Sequence, residues 1–324
     1  MKRILVTGAG GFIGTHLVRS LREQGHFVRG VDLKLPSWST TQADEFWLLD
    51  LREHTNARTA VTGIDQVYAL AADMGGMGHI SNPALQAPIM YNNTMINFNT
   101  LESARRMGVS RYLFVSSVCV YPMYKLDQEQ IPPLRESDVY PAQPQGSYGW
   151  EKLQAEHLCR YYHQSYGIET RIARLQNTYG SLSAWCGGRE KAPAALCRKI
   201  VEAKLAGTHQ VEIWGDGKAT RSFMYVDDCV RGLQALMEST AHEPVTLGPD
   251  RVITIDQLVD IIAQIAGIEI EKVHVEGPQG VRGRNFDHNR AKTLLDWQPD
   301  VSLEQGLKVT YDWVEQQVME VNSA

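Results

Sequence analysis

Two short stretches carry residues able to move protons. In 147-SYGWEK-152 a tyrosine and a lysine, Tyr148 and Lys152, stand four apart and so share one face of a helix. A phenol titrates near ~10 in water, but a neighbouring ammonium favours the phenolate, a usable base for taking a hydroxyl proton while hydride leaves the same carbon. In 111-RYLFVSSVCVYP-122 an apolar strand ends at Ser117, and Cys119 follows where the chain turns. A thiol titrates near ~8.5 and falls beside cations, which makes it a fair base at neutral pH. Cysteines at apolar strand ends also serve as small core residues, so the residue type alone leaves both readings open.

A phosphate-binding pattern precedes them. In 6-VTGAGGFIG-14, Gly8, Gly11 and Gly14 follow a strand-like run, and Phe12 and Ile13 open the next helix. Glycines there let the backbone approach a pyrophosphate, and the helix turns its free N–H groups toward that anion. The second strand ends at Asp32, whose carboxylate suits a ribose diol and repels a 2′-phosphate, so the expected cofactor is NAD. Asp50 and Leu51 are expected to close the third strand beside the adenine. Ala71, in 69-ALAAD-73, is expected to close the fourth beside the phosphates and nicotinamide ribose.

The elements that must position these residues alternate. Strand-like runs at 2–7, 27–32, 64–70, 111–117 and 168–175 are separated by amphipathic stretches such as 94–108 and 149–164. Such alternation predicts an α/β fold, a Rossmann-type doubly wound parallel sheet, with a smaller interleaved α/β substrate-binding lobe. The expected division is a cofactor domain over 1–175, with a returning segment near 218–247, and a lobe drawn mainly from 176–324. Helices are expected near 190–205, 255–266 and 303–318, and strand pieces at 221–226 and 244–248.

Composition excludes some partners. The 324 residues carry a formal charge of −5, which offers no broad basic field for nucleic acid or anionic lipid. No apolar run approaches the ~18 residues that span a bilayer, and neither a signal peptide nor a membrane anchor is expected. The five cysteines have no CxxC pair or metal-ligand spacing, so they read as reduced thiols of a cytoplasmic protein with no metal site.

TGxxGxxG, the strand ending in serines and YxxxK together resemble the extended short-chain dehydrogenase/reductases, and the resemblance runs the length of the chain. Longer matches at 72-ADMGGMG-78, 90-MYNNTM-95, 187-GGREKAPAA-195, 214-WGDGKATRSF-223 and 280-GVRGRNFD-287 are similar to the branch of that family acting on GDP-mannose. The resemblance implies NAD-dependent epimerisation at C3 and C5 through a 4-keto sugar, giving GDP-L-galactose and/or GDP-L-gulose, by a homodimer. It makes Tyr148 the redox base with Lys152 and Ser117, Cys119 and Lys191 the acid/base pair, and Arg284 a diphosphate ligand. Gly75, Val118, Asn177, Glu190, Ala192, Lys199 and Arg221 are the further residues expected to line the sugar nucleotide. Arg282, beside Arg284, suits the same diphosphate.

Three other readings stay open at this point. A 4,6-dehydratase would want carboxyl groups after the serine, where Val118 and Cys119 stand. A 4-epimerase would leave Cys119 and Lys191 idle. A non-catalytic NAD-sensing regulator on the same fold would have no need of Tyr148 and Lys152, both of which are present.

Overall fold

The computed structural model describes residues 1–323, in which the β-branched runs form strands and the spaced apolar positions form helices. Strands β1 (Arg3–Thr7), β2 (Phe27–Asp32), β3 (Glu45–Leu48), β4 (Gln66–Ala69), β5 (Arg111–Ser117) and β6 (Glu169–Leu175) occupy the first half. Between them run α1 (Phe12–Glu23), α2 (His54–Val61), α3 (Met77–Ile80), α4 (Gln86–Arg106) and α5 (Gly146–Tyr166). There follow β7 (Asn177–Tyr179), α6 (Ala192–Ala206), β8 (Gln210–Trp214), β9 (Thr220–Arg221), β10 (Phe223–Tyr225), α7 (Val226–Glu238) and β11 (Val245–Leu247). The chain ends with β12 (Ile253–Thr254), α8 (Ile255–Ala266), β13 (Glu271–Val275), α9 (Asn289–Leu295) and α10 (Leu303–Ser323).

One sheet holds seven strands in the order β11-β6-β5-β4-β1-β2-β3, and every pairing in it is parallel. The order reverses between β1 and β4, which opens a crevice beyond their carboxyl ends, the place where such sheets bind ligands. Neighbouring residues of β1 face opposite ways, as the period of two requires. Leu5 joins Ala57 of α2, Leu101 and Ala104 of α4 and Ala155 of α5 in one core. Ile4 and Val6 join Leu17 and Leu21 of α1, Leu233 of α7 and Ala291 of α9 in the other. Each fully buried aliphatic side chain contributes about 1.5–3 kcal/mol, so the two cores fix the sheet rigidly beneath the crevice.

A third core packs the second lobe. Ile200 and Val201 of α6, Val211 and Ile213 of β8, Ile262 of α8 and Leu307 and Val314 of α10 form it. β11 belongs to the large sheet and α7 packs in a core beside it, although both follow parts of this lobe, so the chain crosses between the two bodies more than once. Among the described residues no helix is long and apolar enough to cross a membrane.

Three boundaries differ from expectation. α4 begins at Gln86, two turns early, because Pro88 falls in its first turn, where a missing N–H costs nothing. β3 ends at Leu48, so Asp50 and Leu51 lie beyond it rather than closing it. The expected strand at 221–226 is two short strands, β9 and β10, in different sheets with Ser222 between them.

Candidate active site

The glycine turn forms the first part of the crevice. Gly8 has φ +71°, and a Cβ on it would come within 2.9 Å of the Ala71 nitrogen. A Cβ on Gly14 would come within 2.1 Å of the Gly8 carbonyl, so α1 can start this close to β1 only with glycine there. Gly11 caps α1 without a side chain, leaving the first-turn N–H groups around Phe12 and Ile13 for an anion. Thr7 Oγ1 accepts from the N–H groups of Leu70 and Ala71, each at 3.1 Å, and so ties the ends of β1 and β4 together. The Asp32 carboxylate accepts from Gly10 N–H at 2.9 Å and from Leu33 N–H at 2.6 Å; burial raises its pKa, and these N–H groups oppose the rise. This donor set fits a dinucleotide: a pyrophosphate on the glycines and a ribose diol on Asp32.

Gly10 was not singled out by the sequence reading. A Cβ there would lie 2.1 Å from the Lys34 carbonyl, so the loop after β2 depends on it. Asp50 is turned to Arg52, whose guanidinium bonds both of its oxygens and lowers its pKa. Leu51 is buried in the core below. Of these two, side chains are committed elsewhere, and only main-chain atoms remain for an adenine.

Cys119 and Tyr148 meet beside this crevice. Both are buried and share an apolar patch with Ile89, Met74, Ile80 and Leu85. The Cys119 carbonyl accepts from Gln145 N–H at 3.0 Å. A Cβ on Gly149 would come within 2.4 Å of that carbonyl, so the glycine inside YGWEK is what lets α5 pass the thiol closely. Ser117 Oγ accepts from Cys119 N–H at 3.2 Å and caps the short 3-10 turn of residues 118–120. Val118 points into a separate core and can offer a ligand only its main chain. Lys152 Nζ lies 5.5 Å from the centre of the Tyr148 ring and donates to the Val115 carbonyl at 3.2 Å.

Cations surround the thiol. Arg284 Nη2 donates to Cys119 Sγ at 3.4 Å and to Gln145 Oε1 at 2.9 Å, while its Nε is buried without a partner. Burial alone would push the Cys119 thiol up, but Arg284, Ser117 and the charge of Lys191 together hold it below its ordinary value. Burial lowers the pKa of Lys191, and nearby Arg284 lowers it further against the raising effect of Cys119. Tyr148 goes the other way: burial first, then the charges of Cys119 and Glu151, push its phenol well up, with Ser117 and Arg284 opposing. Arg221 lies in the same positive field. Burial and the charge of Arg284 push its guanidinium down to about 9, and its nitrogens bond the Thr220 and Val281 carbonyls at 2.7 Å. Positive charge gathered in this excess, with Arg284 itself buried and Lys191 and Arg221 half-buried, calls for an anion.

The loop bearing Lys191 is docked on the segment after β4. Gly76 N–H donates to the Arg189 carbonyl at 3.1 Å, and a Cβ on Gly76 would meet the Glu190 carbonyl at 2.3 Å. Arg189 reaches Asp73 at 3.6 Å. Gly75 packs closely on His79 in the same segment. Lys191 is the N-cap residue of α6, Ala192 begins that helix, and Glu190 accepts from Gly188 N–H at 2.6 Å. Asn177 opens β7 and donates to the Ser222 carbonyl at 3.2 Å.

Two expected residues have partners of their own. Arg282 does not join Arg284: it bonds both oxygens of Asp216 at 2.9 Å and also Glu129, so surface carboxylates already compensate it. Lys199 Nζ is held by the Glu212 carbonyl at 2.8 Å beside the Trp214 ring, on the α6 face that packs against β8. Away from the site, His163, Glu169 and His242 bring donor atoms within 4.8 Å of one another, but Arg171 already donates to Glu169 at 3.0 Å and contacts His242 at 3.2 Å.

Comparison with known proteins agrees with this geometry. The profile of the NAD dependent epimerase/dehydratase family matches residues 4–248. A GDP-mannose 3,5-epimerase of Arabidopsis thaliana is 44% identical over 318 residues, covering 98% of this chain and 83% of its own. The UDP-glucose 4-epimerase of Thermotoga maritima, solved with UDP-glucose, superposes with TM-score 0.86 at 28% identity over 98% of this chain and 99% of its own. The UDP-glucuronic acid 4-epimerase of Bacillus cereus, solved with UDP-glucuronic acid and NAD, gives 0.82 at 28% identity over 97% and 99%. With a matched profile over most of its length and a dinucleotide crevice beside a Tyr-Lys pair, the chain belongs to the NAD dependent epimerase/dehydratase family.

Proposed function

We propose that the protein epimerises GDP-mannose at C3 and C5 through a 4-keto sugar, giving GDP-L-galactose and/or GDP-L-gulose. The observation that carries the reading is the acidified thiol beside the redox tyrosine: Cys119 is held by Ser117 and Arg284 within the field of Lys191, and shares its patch with Tyr148. A redox site that touched C4 alone would have no use for it.

The glycine turn and Asp32 would hold NAD, which would supply the chemistry of taking hydride from C4 and later returning it. Tyr148 removes the C4 hydroxyl proton, with Lys152 behind its ring and Ser117 favouring its phenolate. The ketone makes the protons on C3 and C5 acidic, since each is then α to a carbonyl. The Cys119 thiolate takes such a proton, and Lys191, whose charge acts on that thiol from the docked loop, returns one to the other face of the ring. Arg284 lowers the pKa of the thiol and so favours the thiolate that abstracts, and the surplus positive charge with Arg221 favours the enolate oxygen and the diphosphate. Main-chain atoms of Gly75, Val118 and Ala192, with Asn177 and Glu190, line the sugar between the docked loop and the strand tips.

Two further assignments belong to the same reading. Tyr91 and Phe98 of α4 and Trp150 and Tyr161 of α5 are 46–62% exposed, and the two helices lie side by side. Such an aromatic stripe suits a homodimer in which α4 and α5 pack on their copies as a four-helix bundle. All five cysteines are unpaired, as in the reducing cytoplasm. NMR of the sugar after incubation with GDP-mannose tests the reaction: inverted C3 and C5 signals are expected, and a product inverted only at C4 would overturn it.

A further inference from the structure

One charge in the site is not used by the chemistry above. Glu151 sits between the residues of the YxxxK pair, is 1% exposed, and lies 3.7 Å from Lys152 Nζ. A buried carboxylate costs several kcal/mol unless its oxygens are bonded and its charge is balanced. Both conditions are met by a built cage: Asn93 Nδ2 donates to Oε1 at 2.9 Å and Asn97 Nδ2 to Oε2 at 3.1 Å. Asn93 is itself fixed by the main chain of Asp73, accepting its N–H at 2.6 Å and donating to its carbonyl at 3.2 Å. α4 thus spends two buried asparagines on holding one carboxylate against the lysine of α5.

The groups that act on Tyr148 are Lys152, Glu151, Cys119 and Arg284, with the Ser117 hydroxyl favouring the phenolate. An epimerase differs from a one-way dehydrogenase in what it asks of this phenol. Tyr148 takes the C4 hydroxyl proton when C4 is oxidised and must hand the same proton back to the C4 oxygen when C4 is reduced. An ammonium alone would favour the phenolate and leave a poor acid for the return.

We propose that Glu151 is a positioning residue that balances the Lys152 charge so that Tyr148 serves as base on the outward step and as acid on the return. Glu151 exchanges no proton itself. The proposal rests on the epimerase reading, in which both steps fall within one turnover.

The test is the pH–rate profile of Glu151→Gln and Glu151→Asp, together with tyrosinate absorbance of the NAD-loaded protein without sugar, each measured against its Tyr148→Phe counterpart. Glu151→Gln keeps the shape and removes the charge, so the acid limb and the Tyr148 absorbance midpoint should both move down by about one pH unit. Glu151→Asp keeps the charge, so both should stay near wild type even where turnover falls. A merely structural role reverses the ranking, with the shorter Asp worse than the isosteric Gln and neither midpoint moved. An unmoved Gln variant, or an Asp variant that moves as far as Gln, overturns the proposal. Because the absorbance arm needs no turnover, it stands even if GDP-mannose proves not to be the substrate.

Discussion

Cys119 would be an inert core thiol but for its neighbours. Burial pushes the other buried thiols up, Cys159 and Cys197 far above the ordinary range and Cys229 to about 12, and it raises exposed Cys186 as well. Cys119 alone is lowered, although burial acts on it too, because Arg284 bonds its sulfur and Ser117 and Lys191 reinforce it. Arg284→Gln should therefore move the pH midpoint of Cys119 alkylation, measured in a Cys186→Ser background, upward. An unchanged midpoint would assign the thiolate to another cause. Glycines, Asp32, Tyr148 and Lys152 were legible in the sequence because each motif is local. Arg284 stands 165 residues from the thiol it bonds, so no spacing could reveal that contact. Adjacency in the chain suggests Arg282 as its partner on one diphosphate; the fold instead gives Arg282 its own carboxylates.

The helix pair α4 and α5 carries the site and the exposed stripe, and Glu102 clamps it. Its carboxylate accepts from Arg105 at 2.8 Å within α4 and from the Tyr162 hydroxyl of α5 at 3.0 Å, and it also pairs with Arg106. The Arg105 bonds lead in lowering its pKa, from an ordinary 4.5 to about 2. A depressed carboxyl pKa gives stability that is fully present above about pH 4.5 and is lost as pH falls toward about 2. Arg105 and Arg106 are partly solvated, so the contribution is discounted to about 1 kcal/mol. Glu102→Gln should lower the melting temperature by roughly 2–4 °C at pH 7 and by progressively less as pH falls below 4. A deficit that stayed constant across that range would mean packing, not charge, is lost. The span of α4 was only partly legible, because Pro88 reads as a breaker and is in fact a first-turn residue. The docking of the Lys191 loop on Gly76 and Asp73 was not legible at all, since it joins two glycine-rich segments more than a hundred residues apart.

Across the whole molecule, the parallel sheet brings the glycine turn, Asp32, Cys119 and Tyr148 to one edge, and the second lobe supplies Lys191, Arg221 and Arg284 from the other side. Alternating strand and helix patterns made the sheet readable from sequence, but the interleaving of α7 and β11 with that lobe depends on tertiary packing that short strands do not announce. Epimerisation at C3 and C5 requires that this meeting of lobes let a thiol move a carbon-bound proton. The direct measurement is deuterium incorporation from D2O into GDP-mannose, resolved by position with NMR, for the wild type and for Cys119→Ala. Wild type should label C3 and C5 and not C4, since hydride returns to C4 without solvent exchange. Cys119→Ala should lose labelling at C3 and C5 by about 10²-fold or more. Labelling at those carbons that persists at the wild-type rate in Cys119→Ala would contradict the account, because the thiol would then be a packing residue beside a redox site.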